Sequence, residues 1–469
     1  MADTAGPGLR GGGGGGPRLL PVLAVVAALL TGLGVALRLP AVAGLLGTSL
    51  RAPAPTLTQS SAGPGSAPAS PSPDDGARSL VTRMAQAVRT RDEVAFTSVA
   101  APGRPSVRED LRRVFSGLTT LPLATFALAV DPGRDGQPVR GFGPGARTLP
   151  VLATYRLQGW DDVPLAVPMV LVVAPDAGGW RVVADRTTTD PSTDQRLEPW
   201  LLQDLYLTGT AHVLVVGDRG HAAQARRLAR TLETLAADVR RVWPERSWNG
   251  KVVAYAMTST TFVRSWYGRS AAGDPGNGDR AAFVAKVVTL PSGGAGSGAV
   301  RMVVTPYLLE RPKSGSIDVL RHEMTHVATA RLGSGVPTWL VEGAAEYTGF
   351  ARRAGDGALD ATTTFGRHGL TAAEVASTAT GSWRPTLLGR LQFYTGSEAA
   401  VDEHYNSAFI TCLYIADRYG EPALRRLYEE AARTNETTAL SRVLHTTRGR
   451  LVLAVGAYAS TLRNRLVFG

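Results

Sequence analysis

The apolar positions change their period several times along the chain, and each change marks a different kind of element. Residues 19–37 (LLPVLAVVAALLTGLGVAL) carry no charge. At about 1.5 Å per residue this run nearly crosses a hydrocarbon layer of about 30 Å, which predicts an N-terminal transmembrane helix. The Gly-rich residues 1–18 before it, with Arg10 and Arg18, read as a cytoplasmic tail, although Arg38 on the far side weakens the asymmetry. The small residues Ala41, Val42 and Ala43 keep signal cleavage and secretion open as the alternative. Residues 38–76 are dominated by Pro, Ser, Ala and Gly, so a disordered tether is expected there.

From residue 77 the pattern turns helical. In ARSLVTRMAQAVRTRDEVAFTSV, Leu80, Met84 and Val88 recur at helical spacing, and VREDLRRVFSGL reads as a second helix. Four strand-like runs come next: ATFALAV, LPVLATYRL, VPMVLVVA and WRVVAD. Asp176 to Gly179 separate the last two as a hairpin turn. Helices succeeded by a meander of strands predict an α+β domain over 77–190. This order, with its closing hairpin VLVVAPDAGGWRVVAD, resembles the nuclear-transport-factor-2-like fold. That family uses a small cone as a pocket, an enzyme or a spacer. No acid and base are paired in these strands, so a binding or spacer role is the expectation.

A second domain is expected over 195–469. It opens with the strand-like AHVLVVGD and a long amphipathic helix, HAAQARRLARTLETLAADVRRVW. Ala222, Ala225, Leu228, Leu232, Leu235 and Val239 form the apolar stripe of that helix. KVVAYAM, AAFVAKVVTL and AVRMVVTPYLL read as strands, and PSGGAGSG between the last two reads as a hairpin connection or flap. The remainder is mostly helical in pattern.

The net charge is +11, carried almost wholly by arginine, since Lys251, Lys286 and Lys313 are the only lysines. The arginines are scattered, with no basic run and no interleaved aromatics for stacking on bases, so nucleic acid is not an expected partner. Cys412 is the only cysteine, which excludes an intrachain disulfide and a cysteine zinc site. Within AFITCLYIA it reads as a buried core thiol.

The chemistry concentrates in His322-Glu323-Met324-Thr325-His326, inside SIDVLRHEMTHVATARL. Four residues on a helix turn about 400° and climb about 6 Å. Both imidazoles therefore project from one face, a turn apart, as two tetrahedral zinc positions require. Glu323 lies beside that face, where a carboxylate can take a proton from a metal-activated water. Ser314 or Ser316 could cap this helix and Gly333 end it. In PTWLVEGAAEYTGF, Glu342 and Glu346 share a face one turn apart. The interval from His326 leaves room for a turn through GSGVP and a returning helix. Carboxylates among Trp339, Leu340, Val341, Ala344 and Ala345 are costly to bury unless they meet a cation or a donor. A metal with its imidazole ligands supplies both. The plainer alternatives are a chance match for the histidine pair and a solvated helix edge for the glutamates.

HEMTH with WLVEGAAEY after it resembles the gluzincin metallopeptidases, and within them the peptidase MA-like proteins related to aminopeptidase N, with their HExxH and WLxEGxAEY pattern. The resemblance implies an α+β fold, with a small sheet above the zinc helix and a mostly helical C-terminal part. It implies one zinc ion on His322, His326 and Glu342, with Glu346 accepting from the His322 imidazole. Glu323 would be the catalytic base, and the substrate a peptide or protein. Tyr405, in VDEHYNSAFITCLYIADRYG, occupies a place comparable with the family's oxyanion-stabilising tyrosine. Simple packing at a helix start is the alternative for it, and His404 and then His368 are the next candidates. The family's GAMEN-type segment is replaced by AVRMVVTPYLL, so exopeptidase activity is not implied. The combined expectation is a membrane-anchored, extracytoplasmic zinc metallopeptidase. Its rival is a non-catalytic cell-envelope binding or scaffold protein with a structural or vestigial zinc site.

Overall fold

A computed structural model of the chain describes residues 73–134, 136–177, 179–187, 196–245, 248–267, 285–289, 299–305, 316–332, 335–351, 377–378 and 380–468. These form an α+β fold with two sheets. They divide into two compact units. One runs to Gln158 and resumes over Pro164–Asp204; the other holds Gly159–Val163 and the chain from Leu205.

The first unit opens with α1 (Pro73–Thr90), α2 (Glu93–Thr97) and α3 (Pro105–Thr120). The continuous helical pattern breaks where Arg91 takes a left-handed φ of 58°. Asp92 then caps α2 by accepting from the Ala95 amide at 2.8 Å. Leu80, Met84 and Val88 are all buried. The strands β1 (Leu123–Val130), β2 (Arg147–Leu157), β3 (Leu165–Asp176) and β4 (Gly179–Asp185) form an antiparallel meander in that order. Asp176 pairs with Gly179 at the hairpin turn.

The second unit contains a five-stranded sheet in the order β5 (Leu205–Gly209), β6 (Val213–Asp218), β7 (Val252–Ala256), β9 (Val300–Val304), β8 (Ala285–Thr289). β6, β7 and β9 are parallel, and antiparallel strands close both edges. The helix α4 (Ala222–Val242) makes the crossover that parallel β6 and β7 require. Ala225, Leu228, Leu232, Leu235 and Val239 of its stripe are buried, while Ala222 is half-buried at the open end. Every residue of β6 and β7 is buried, the signature of strands covered on both faces.

Helices dominate the rest of this unit: α5 (Thr260–Tyr267), α6 (Ser316–Thr329), α7 (Thr338–Glu346), α8 (Arg390–Phe393), α9 (Glu398–Tyr419), α10 (Glu421–Arg433), α11 (Glu436–Leu444) and α12 (Arg448–Phe468). One hydrophobic cluster joins the buried faces of α4, α6, α7 and α9 to those of α10, α11 and α12. β9 places an arginine inside this unit. Arg301 is fully buried, donates to Asp161 at 2.6 and 2.8 Å, and donates to Tyr255 Oη at 2.9 Å.

The expectation of a transmembrane helix, and with it of a cell-membrane protein whose catalytic domain lies outside the cytoplasm, is corrected here. Among the described residues no helix is long and apolar enough to cross a membrane. The long helices all carry charge: α4 has five arginines, and α9 and α12 carry charged residues toward both ends. Each charge at the centre of a hydrocarbon layer costs roughly 2.5–3.5 kcal/mol or more. Residues 19–37 lie outside the described residues, as do the tail before them, the tether up to residue 72 and Ala41 to Ala43.

Candidate metal centre

α6 carries the histidine pair and is buried on almost every side. Val319, Leu320, Met324, Val327 and Ala328 pack into the core on one face. The polar residues His322, Glu323 and Thr325 are equally enclosed, at 0–1% exposure. Asp318 in the first turn complements the positive end of the helix. Ser314 and Gly333, expected at its ends, lie outside the described residues, as does His368.

Two glycines permit close approaches around the site, one between α7 and α9 and one onto α6. A Cβ at Gly343 in α7 would stand 2.4 Å from the Ala408 carbonyl oxygen of α9. One at Gly349 would stand 2.9 Å from the Asp318 carbonyl oxygen and 3.3 Å from His322 Cβ. Gly349 belongs to a π-helical turn, Tyr347–Ala351, that continues α7. Such turns recur at functional sites because they re-aim side chains within a helix. Arg321 fixes the turn to the rest: it donates to the Gly349 carbonyl at 2.6 Å and pairs with Asp238 of α4 at 3.2 Å.

The result is a triangle of donors. His322 Nε2 and His326 Nε2 are 3.0 Å apart, and Glu342 Oε2 is 3.5 Å from each. Two donors bound at about 2.0–2.1 Å to a tetrahedral ion stand about 3.3–3.4 Å from each other, and these edges lie within a few tenths of an ångström of that spacing. Glu342 Oε2 is buried and makes no hydrogen bond among the described residues. A buried carboxylate oxygen left so is costly, and a cation between it and the imidazoles removes that cost. These three residues form a group that could hold a metal ion.

The surrounding residues complete the site. Glu346 Oε1 lies 3.0 Å from His322 Nδ1, an ion-pair contact that is not aligned as a hydrogen bond. Glu323 is buried and close enough to favour the charged form of His322. Tyr405 is fully buried, its ring centroid 6.5 Å from that of His322. His404 does not join the cluster: its Nδ1 lies 2.8 Å from the Phe393 carbonyl oxygen. Sequence reasoning misses Tyr394, which lies just after α8. Its hydroxyl donates to Glu342 Oε1 at 2.6 Å. No local pattern signals it, because its partner is 52 residues away.

Electrostatics favour a charged cluster despite its burial. With no metal bound, burial would lower the His322 imidazole, but its pairing with Glu342 and Glu346 prevails and raises it to about 10, so a metal ion taking Nε2 would displace a proton. Burial alone would raise the Glu342 carboxyl, but the His326 and His322 rings hold it well below the usual carboxylate range. Burial, and then the Glu342 charge, push the Tyr394 and Tyr405 phenols up, so both remain neutral O–H groups. His326, with its side chain 17% exposed, is where the triangle reaches solvent.

Fold and site together define a class: an α+β chain with a candidate mononuclear metal centre of two histidines and one glutamate. No protein-family model matches the chain, and no curated protein matches it. The likeness to gluzincins therefore rests on the motifs at residues 322–326 and 339–347.

Proposed function

We propose that the chain is a zinc metallopeptidase of the gluzincin type, acting on peptide or protein substrates. The observation that carries this reading is the convergence of His322 Nε2, His326 Nε2 and Glu342 Oε2 within 3.0–3.5 Å of one another on the helix that also bears buried Glu323. A zinc ion held by these three residues supplies Lewis acidity, which lowers the pKa of a water and polarises a carbonyl.

The chain's own residues do the rest. Glu323 takes a proton from the attacking water and passes it to the leaving amine. Tyr405, a neutral buried phenol, is the candidate donor to the developing oxyanion. Glu346 sits against Nδ1 of His322 and so orients the imidazole.

The test is digestion of a peptide library by the purified full chain, with zinc content measured in the same sample and a chelator control. Glu323→Gln should keep its zinc and lose activity by about 100-fold or more. A zinc-replete parent that cleaves no peptide, or a Glu323→Gln variant that cleaves at the parental rate, would refute the proposal.

A further inference from the structure

The two oxygens of Glu342 have different surroundings. Oε2 faces both imidazoles at 3.5 Å. Oε1 accepts the 2.6 Å hydrogen bond from Tyr394, and hydrogen bonds to a charged acceptor are roughly twice as strong as neutral ones.

The segment bearing Tyr394 is itself fixed. His404 Nδ1 is 2.8 Å from the carbonyl oxygen of Phe393. The Phe393 ring is fully buried and meets Tyr394 edge-on at 5.1 Å and Tyr405 edge-on at 5.0 Å. These contacts hold the backbone and the aromatic neighbour from which the phenol is presented.

We propose that Tyr394 is a positioning residue that confines Glu342 to ligation through one oxygen. It thereby sets both how tightly the centre holds its metal and how many coordination positions stay open. The proposal rests on the zinc-centre reading. Without the hydroxyl, Oε1 is free to turn toward the metal, adding a ligand and closing a position, or to let the whole carboxylate drift.

The experiment compares the full-length parent with Tyr394→Phe and Glu342→Gln. Each is titrated with Zn2+ against a competing chelator, and each is loaded with Co2+ for its visible spectrum. Tyr394→Phe should weaken zinc binding by about 10–100-fold. It should also shift the cobalt bands toward the weaker pattern of a higher coordination number. The metal-free form should also melt lower, by about 2–4 °C, because buried Glu342 Oε1 loses its donor, so the metal readouts carry the test. Zinc affinity and cobalt bands equal to the parent's would overturn the proposal. So would a lower metal-free melting point with cobalt bands unchanged, since that marks a merely structural role. Glu342→Gln separates the two levels. If it loses zinc while Tyr394→Phe does not, the role of Tyr394 alone fails. If it holds zinc as the parent does, the zinc-centre reading fails and the proposal with it.

Discussion

Gly343→Ala tests whether the donor triangle depends on the close approach of α7 to α9. The added Cβ would stand 2.4 Å from the Ala408 carbonyl oxygen and 2.7 Å from Cys412 Sγ. Non-bonded heavy atoms settle at about 3.2–3.5 Å or more, so α7 has to retreat by roughly 0.8–1 Å. The closest atom belongs to the backbone, and no rotamer change can absorb the overlap. Overpacking of this kind costs about 1–3 kcal/mol. In a unit of this size each kcal/mol lowers the melting temperature by about 2–4 °C. Glu342 is the adjacent residue, and metal ligands tolerate displacements of only about 0.2 Å. The same retreat therefore shifts Glu342 relative to the two imidazoles and distorts the 3.5 Å edges of the triangle, and zinc affinity should fall along with stability. The assay is thermal melting with and without Zn2+, together with a chelator-competition titration. Adding Cys412→Ala should not rescue the variant, because it relieves the sulfur contact and leaves the carbonyl one. A Gly343→Ala protein that melts within about 1 °C of the parent and binds zinc equally well would show that this packing contact does not hold the site.

The same geometry carries three further expected outcomes. His326→Ala removes one corner of the triangle and should leave well under one zinc per chain after dialysis; metal analysis showing a full equivalent would end its role as a ligand. Asp161→Ala strands the buried Arg301 guanidinium without its carboxylate and should cost about 3–5 kcal/mol in urea unfolding, much of it recovered when Arg301→Met is added; a loss under about 1 kcal/mol would contradict that pairing. The Glu233 carboxyl is opposed by burial, but hydrogen bonds from His212 and Thr210 outweigh it and hold it below its ordinary 4.5. A depressed carboxylate stabilises the fold above its unfolded pKa and loses that contribution as pH falls through its folded one. The stability gap between parent and Glu233→Gln should thus be level at neutral pH and shrink below about pH 4.5. A gap that widens on acidification would contradict the sign.

Legibility in the sequence depends on whether the physics is local. The buried stripe of α4 and the histidine pair of α6 are legible because both ends of each relation lie on one helix, within one or two turns. Glu342 and Glu346 are legible for a related reason: a carboxylate in an apolar run announces a burial cost, even when what offsets it sits on another element. The break at Arg91 is not legible, because the apolar period continues across it and only the Asp92 cap marks a new start. The run at 19–37 is read from local apolarity alone, and it lies outside the described residues. Its apolarity points to a membrane anchor, whereas no described helix is long and apolar enough for one. Arg301 and Tyr394 show the other limit. The arginine lies in the strand-like AVRMVVT, where a charge looks misplaced until Asp161 arrives from 140 residues away. The tyrosine matters only because tertiary packing sets its hydroxyl on Glu342 Oε1. A metal centre read from its motif alone therefore comes without the contacts that aim its ligands. In this chain the hydrogen bond to Glu342 Oε1 comes from an aromatic residue that belongs to neither motif.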